Sequence, residues 1–220
     1  MKIPTDWTFK DADVAEGFDR HVREQLPWYD LATGAVAHVA RHYLPAGGLI
    51  YDIGASTGNI GRALDPIIRS RGARLVAIDN SEEMAGLYAG PGRFVLADAL
   101  EFNYEPFDVA IAFLVLMFMP TSKRRDWLRE LCKRVRPGGA IIVVDKTEGP
   151  AGYLSTVLHR LTIAGKVSTG VPSASIVEKE LSLSGVQRPL APGFMQTAVP
   201  EAVEIFRFGE FAGYVIARPE

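Results

Sequence analysis

The sequence predicts an α/β fold whose sheet is mostly parallel and closes in an antiparallel hairpin. Three observations lead there. Strand-like apolar runs alternate with helix-patterned segments between residues 49 and 145, which implies right-handed βαβ units. The first run opens into "YDIGASTGNIG", crowded with glycine and small polar residues where a strand would turn into a helix. The last segment, "EIFRFGEFAGYVIARP", holds two strand-like runs around Gly209 and Glu210, with no room for a helix between them.

The elements follow in order. Val14, Phe18, Val22 and Leu26 recur every four residues, predicting an amphipathic helix that stops at Pro27. A second helix runs through Val36, Val39, Ala40 and Tyr43 to "LPAGG". "GLIYDI" is the first strand, and "STGNIGRALDPIIRSRG" is a helix that Pro66 is expected to kink or break. "ARLVAID" is the second strand, ended by the helix cap "NS". "RFVLAD", "FDVAIAFL" and "GAIIVVD" supply strands three to five. Between the last two lies a helix with Trp127, Leu128, Leu131 and Val135 inward. The expected division is one domain: helices over 1–46, a core over 47–145, a lid-like insertion over 146–199 and the hairpin over 200–220. The insertion should hold a helix around "AGYLSTVLHRLTIAG" and another starting at Ser175, whose spacing to Glu178 is that of a capping box.

Composition narrows the function. A net charge of -2 over 220 residues gives no bulk attraction to nucleic acid or anionic membrane. The single cysteine, Cys132, leaves no disulfide framework and points to a reducing compartment, so a cytoplasmic location is expected. The start of the chain is too polar for a signal peptide, and "VAIAFLVLMFM" is too short to span a membrane.

The glycine turn asks for a ligand. In an open α/β sheet, ligands settle at the carboxyl ends of the strands where strand order reverses. Gly54 and Gly58 would let one approach without a Cβ in the way. Asp79, at the end of the second strand, follows at close to the spacing of about 20 residues used by a ribose-binding carboxylate. Asp98, past strand three, suits an adenine amino group. Ser56 stands where a dinucleotide fingerprint has its middle glycine, and the chain lacks a second βαβαβ half, so a nicotinamide enzyme is the least favoured reading.

The succession "YDIGAS", "AIDNS", "LADAL", "RPGGAIIVVD" and a closing hairpin resembles the class I S-adenosylmethionine-dependent methyltransferases. That resemblance implies a Rossmann-like, seven-stranded methyltransferase fold. With "PWYD" before the fold and Asp-Lys after strand five, the chain also resembles the carboxy-S-adenosylmethionine synthase family, which acts in tRNA wobble-uridine modification. The resemblance implies S-adenosylmethionine or a close analogue as cofactor. It carries cofactor contacts onto Tyr29, Gly54, Ala55, Ser56, Asp79, Asn80, Asp98 and Ala99. It implies a small-molecule or tRNA-pathway substrate and, with the spare insertion surface, a homodimer. An Asn of the family falls on Phe113, and the Arg that holds the product's extra carboxylate falls on Glu180. A Glu repels a carboxylate where an Arg fork clamps it. Transfer to an unidentified acceptor is therefore favoured over carboxy-S-adenosylmethionine formation, with a non-catalytic binding subunit as a third reading.

No catalytic base stands out. Strand four ends in "AFLVLMFMP" rather than the Asp/Asn-Pro-Pro-aromatic run of enzymes that methylate amino groups of bases. Cys132 sits on a helix beside its apolar face, which suits burial better than nucleophilic attack. Lys146 is either a surface lysine or a substrate-orienting one, and His159 is expected to be solvated or packed. His21, His38 and His42 lack a shared third ligand, so no metal site is expected. Lys123, Arg124, Arg125, Arg129, Lys133, Arg134 and Arg136 read as the solvated face of one helix. Trp28 and Tyr29 stand equally for core packing or for closing over the cofactor.

Overall fold

The computed structural model describes residues 3–220. Two helices, α1 (Ala12–Gln25) and α2 (Tyr29–Tyr43), precede β1 (Leu49–Ile53). The alternation continues with α3 (Asn59–Arg71), β2 (Arg74–Asp79), α4 (Glu82–Leu87), β3 (Arg93–Leu96) and β4 (Phe107–Phe113). A 3-10 turn (Leu116–Phe118), α5 (Thr121–Arg134) and β5 (Val135–Lys146) follow. The insertion carries α6 (Tyr153–Ser168), α7 (Ser173–Ser182) and α8 (Phe194–Ala198) before the hairpin β6 (Val203–Phe208) and β7 (Phe211–Ala217).

The seven strands order as β3-β2-β1-β4-β5-β7-β6. The first five are parallel, and β7 runs antiparallel to both β5 and β6. Strand order therefore reverses between β1 and β4, and the crevice beyond their carboxyl ends is the natural ligand position. Side-chain alternation divides the core between the two faces. Leu49, Tyr51 and Ile53 join Leu128, Leu131, Met195 and Ala198 on one face. Ile50 joins Val36, Ala40, Leu64 and Ile68 on the other. Strand β4 is buried along its whole length, as its unbroken apolar run requires.

Several local expectations change. Helix α3 runs through Pro66, because burial of Ile60, Leu64 and Ile68 along one stripe outweighs the missing N–H. Helix α7 starts at Ser173 behind Pro172, so Ser175 lies inside the helix and caps nothing. A proline at a helix start sacrifices no hydrogen bond, and it moves the boundary two residues upstream. The short helix α8, in the Pro/Gly-containing stretch, has no periodic signal in the sequence. Arg124 departs most from expectation: it is 2% exposed, not solvated. Its guanidinium donates to the carbonyls of Met119, Met117 and Pro189, stitching the β4 exit and the insertion to α5. Arg129 donates to the Ala198 carbonyl, and Arg136 pairs with Asp108 at 2.8 Å.

Asp145, fully buried at the end of β5, completes this joint by accepting from the Leu116, Met117 and Lys146 amides. Burial raises its pKa to about 7, against those amides and the Arg124 charge. Among the described residues no helix is long and apolar enough to cross a membrane.

Replacing Arg124 with Met should leave the Met119 and Pro189 carbonyls without their donor, while Met117 keeps the Arg188 amide. A loss of about 2–4 kcal/mol in urea denaturation is expected, and an unchanged midpoint would contradict the assignment of Arg124 as a structural clamp.

Candidate functional site

The β1–α3 turn is shaped before any ligand arrives. Gly54 has φ +68°, and an added Cβ there would come within 2.6 Å of Val115 Cγ2, so the β1 and β4 exit loops meet at this glycine. The amides of Gly54 and Ala55 donate to the Ile78 carbonyl at 2.8 and 3.0 Å. The Ser56 amide donates to Asp79 Oδ2 at 2.8 Å, and the Ser81 amide to Asp79 Oδ1 at 3.0 Å. Burial raises the Asp79 pKa, and the Ser56, Ser81 and Asn80 amides oppose the shift. Ser81 then caps α4 by accepting from the Met84 amide.

Asp98 accepts from the Leu100 amide at 2.8 Å, bending the chain past β3. The Ala99 carbonyl is held from behind by Trp127 Nε1 and the Tyr104 hydroxyl. Across the crevice, Phe113 meets the Tyr29 ring edge-on at 5.3 Å, and burial raises the Tyr29 hydroxyl well above its ordinary pKa.

These groups surround one cavity of about 270 Å³ at the β1/β4 switch point. Its wall includes Tyr29, Gly54, Ala55, Ser56, Asp79, Asn80, Asp98, Ala99 and Phe113, nine of the ten positions singled out from the sequence. Gly58 lies off the wall. It starts α3 with φ +92°, and a Cβ there would strike the Gly90 backbone at 2.6 Å, so close packing of two loops accounts for this glycine. Trp28 is also off the wall, stacked on Phe208.

The insertion closes the other end of the cavity. Lys146 is not a surface lysine: it is 8% exposed and reaches Gln187 Oε1 at 3.3 Å and Glu180 Oε2 at 4.0 Å. Lys166 Nζ donates to Glu180 Oε1 at 2.7 Å. Burial alone would raise the Glu180 pKa, but Lys166 and Lys146 hold it below the usual range. Lys179 also faces the cavity, its ammonium position seated on the Trp7 ring. His159 lies outside, exposed, 3.4 Å from Glu210. Cys132 is half-buried, its thiol pushed up to about 11 by burial, which makes it unreactive. His38 and His42 contact each other edge-on, and no cluster of three metal-ligating groups occurs among the described residues.

Sequence reasoning missed Asp52. It is 1% exposed within β1, lines the cavity, and its Oδ2 has no hydrogen-bond partner among the described residues. Burial raises its pKa to about 7, opposed by the Gly61 amide. The available signal was a lone acid inside an otherwise apolar strand. Lys166 and Lys179 were also missed, and they carried no such signal. Lysines on a helix read as solvated until the packing is known.

Comparison with known proteins agrees with this geometry. The family described as "Methyltransferase domain" matches residues 50–139. A carboxy-S-adenosyl-L-methionine synthase of Wolinella succinogenes is 28% identical over 223 residues, covering 96% of this chain and 93% of that protein. The Staphylococcus epidermidis protein of the same name is 26% identical over 192 residues, covering 85% and 84%. Among solved structures, the plantazolicin methyltransferase BpumL in complex with SAH aligns with a TM-score of 0.64 at 12% identity, covering 94% of this chain and 89% of that one. The magnesium protoporphyrin IX methyltransferase of Synechocystis with bound SAH aligns at 0.62 and 17% identity, covering 95% and 97%. Residues 50–139 are thus similar to a methyltransferase domain, and the chain shares the fold of these solved methyltransferases. It is similar over most of its length to carboxy-S-adenosyl-L-methionine synthases.

Asp52 makes stability fall with rising pH. The folded chain keeps the Asp52 proton up to about pH 7, whereas the unfolded chain releases it near its model value of 3.8. Stability is therefore lost as pH rises through that window and levels off above it. Asp52→Asn should remove about 4 kcal/mol of this loss. Urea denaturation at a series of pH values would show a flatter profile for the variant, and parallel profiles would refute the assignment.

Proposed function

We propose that this cavity binds S-adenosylmethionine and that the protein transfers the methyl group to a small acceptor held under the insertion. The observation that carries the reading is that the Gly54 turn, Asp79 and Asp98 leave three adjacent parallel strands and converge on one cavity at the switch point. The donor set fits the nucleoside. Asp79 retains free lone pairs for ribose hydroxyls, Asp98 accepts from an adenine amino group, and the bare Asp52 Oδ2 suits a cationic amino-acid end. The cofactor, when bound, supplies an electrophilic methyl on a sulfonium. The chain's own part is positioning and exclusion of water: the Gly54 turn leaves room, and Tyr29 and Phe113 form a dry wall.

A second reading is carboxy-S-adenosylmethionine formation, within a tRNA-modification pathway. It is favoured by the names of the similar curated proteins and by the lysines beside Glu180. Glu180 alone would repel a carboxylate, but Lys146 and Lys166 already neutralise it, and Lys146 retains donors that face the cavity. Mass spectrometry of the co-purified ligand separates the readings, since a carboxylated nucleoside would establish the second and reject the first. A cytoplasmic location fits the single, half-buried cysteine.

The insertion also supports self-association. Helix α6 buries Lys166 yet exposes Tyr153, Leu154, Val157 and Leu161, and α7 adds Val177 and Leu181. An outward apolar face on two neighbouring helices suits a symmetric interface with a second copy.

Two outcomes are expected. Calorimetry should show S-adenosylhomocysteine binding that weakens about 10- to 100-fold in Asp79→Ala, as for loss of charged hydrogen bonds; equal affinity would remove the ribose assignment. Sedimentation should show a dimer that Leu161→Lys converts to monomer, whereas a monomeric wild type would reject the interface.

A further inference from the structure

The chain ahead of α1 alternates between solvent and cavity. Thr8 and Lys10 are exposed, whereas Trp7 is 4% exposed and Phe9 is half-buried, and both rings line the cavity wall. Residues 3–10 form no helix or strand, so a small set of contacts holds them in place. The Trp7 amide donates to the Ser182 carbonyl at the end of α7, 2.9 Å away. The Ser81 hydroxyl donates to the Phe9 carbonyl at 2.7 Å. Ser81 caps α4, and its amide donates to Asp79. The segment therefore ties the cofactor side of the cavity, at Ser81, to the insertion side, at Ser182.

Packing follows the same bridge. The Trp7 ring stacks on His21 of α1 at 5.5 Å, lies against Lys179 of α7 and packs with Leu183. Phe9 stands edge-on to Phe18 of α1 and to Phe118 of the 3-10 turn, with centroids 5.9 and 5.0 Å apart. Rigid structure begins at Asp11, whose side chain caps α1 by accepting from the Val14 amide.

We propose that residues 3–10 are a clasp, hinged at Asp11, that shuts over a bound nucleoside and releases when ligand is exchanged. This rests on the cofactor reading above. A ligand shifts a two-state element only through contacts that differ between the states. Trp7 and Phe9 supply that difference, since a molecule in the cavity meets their rings only while the clasp is shut. Release costs two hydrogen bonds and uncovers two rings, and it returns backbone freedom to a segment near the chain terminus. One of those bonds is replaced on the spot. Glu83 Oε2 lies 2.9 Å from the Ser81 hydroxyl and accepts from it once Phe9 has left. Ser81 is 0% exposed, so without Glu83 its donor would be stranded by the opening.

The first test uses the wild-type protein. Exchange of the Trp7 amide proton is followed by NMR with and without S-adenosylhomocysteine, beside that of Ile111 in buried β4. In the free chain Trp7 should exchange at least about 100-fold faster than Ile111, as local release requires. With ligand at about 100 times its Kd, Trp7 exchange should slow at least about 10-fold. Exchange as slow as that of Ile111, or unchanged by bound ligand, would overturn the clasp. In the second test, stopped-flow fluorescence follows S-adenosylhomocysteine binding to wild type and Phe9→Ala. That variant loses the packing on Phe18 and Phe118, while every group assigned to the nucleoside stays in place. Association and dissociation should both quicken at least about 5-fold, because a larger share of molecules stands open. Faster dissociation alone would make Phe9 a plain wall and overturn the proposal, as would wild-type rates. Calorimetry separates the failures. No heat with S-adenosylhomocysteine rejects the cofactor reading and the clasp with it, whereas normal heat with an unresponsive Trp7 amide rejects the clasp alone.

Discussion

The Asp79 carboxylate holds two loops at once, accepting the Ser56 amide from the turn after β1 and the Ser81 amide that opens α4. A carboxylate placed in water would gain nothing from such bonds beyond what water offers. Buried here, with its pKa raised, it depends on them. The arrangement makes the turn rigid and leaves part of a charged group facing the cavity. Together with the Gly54 and Ala55 amides, which donate to the Ile78 carbonyl, this constraint holds the turn where Gly54 meets Val115.

A second buried carboxylate does the same on the other side of the switch point. Asp145 fixes the Leu116 and Met117 amides, and Arg124 secures the carbonyls of the same segment. Each of these charges loses solvation, and each recovers it through several backbone partners rather than through one ion pair. The two exits that flank the crevice are thus clamped by ionisable groups contributed from neighbouring elements. Asp52 stands apart, since one of its oxygens has no partner among the described residues. An unsatisfied carboxylate oxygen beside a cavity marks where a ligand is needed to complete the structure.

The insertion reverses the usual pattern of an amphipathic helix. Helix α6 turns Lys166 inward and several apolar side chains outward, and α7 buries Lys179 while exposing Val177 and Leu181. The inward lysines line the cavity, and the outward apolar groups are exposed. Both features belong to a segment that sits over the strand ends, where ligands enter and leave.

The strands, most helices and the glycine turn were legible in the sequence, because periodicity and turn chemistry act over a few residues. Asp79 and Asp98 were legible for the same reason, one ending a strand and the other two residues past one. Arg124 was not: its place on a basic helix face looks solvated, and only the carbonyls of Met117 and Pro189 show that it is covered. Gly58 looked like a ligand contact, yet Gly90, far along the chain, explains it. What the sequence by itself determined was the alternation of elements and the local shape of each turn. Which charged groups lost their water, and so which ones face the cavity as acids, bases or clamps, was decided by tertiary packing. Desolvation depends on neighbours that can be more than 100 residues away, and no local pattern encodes them.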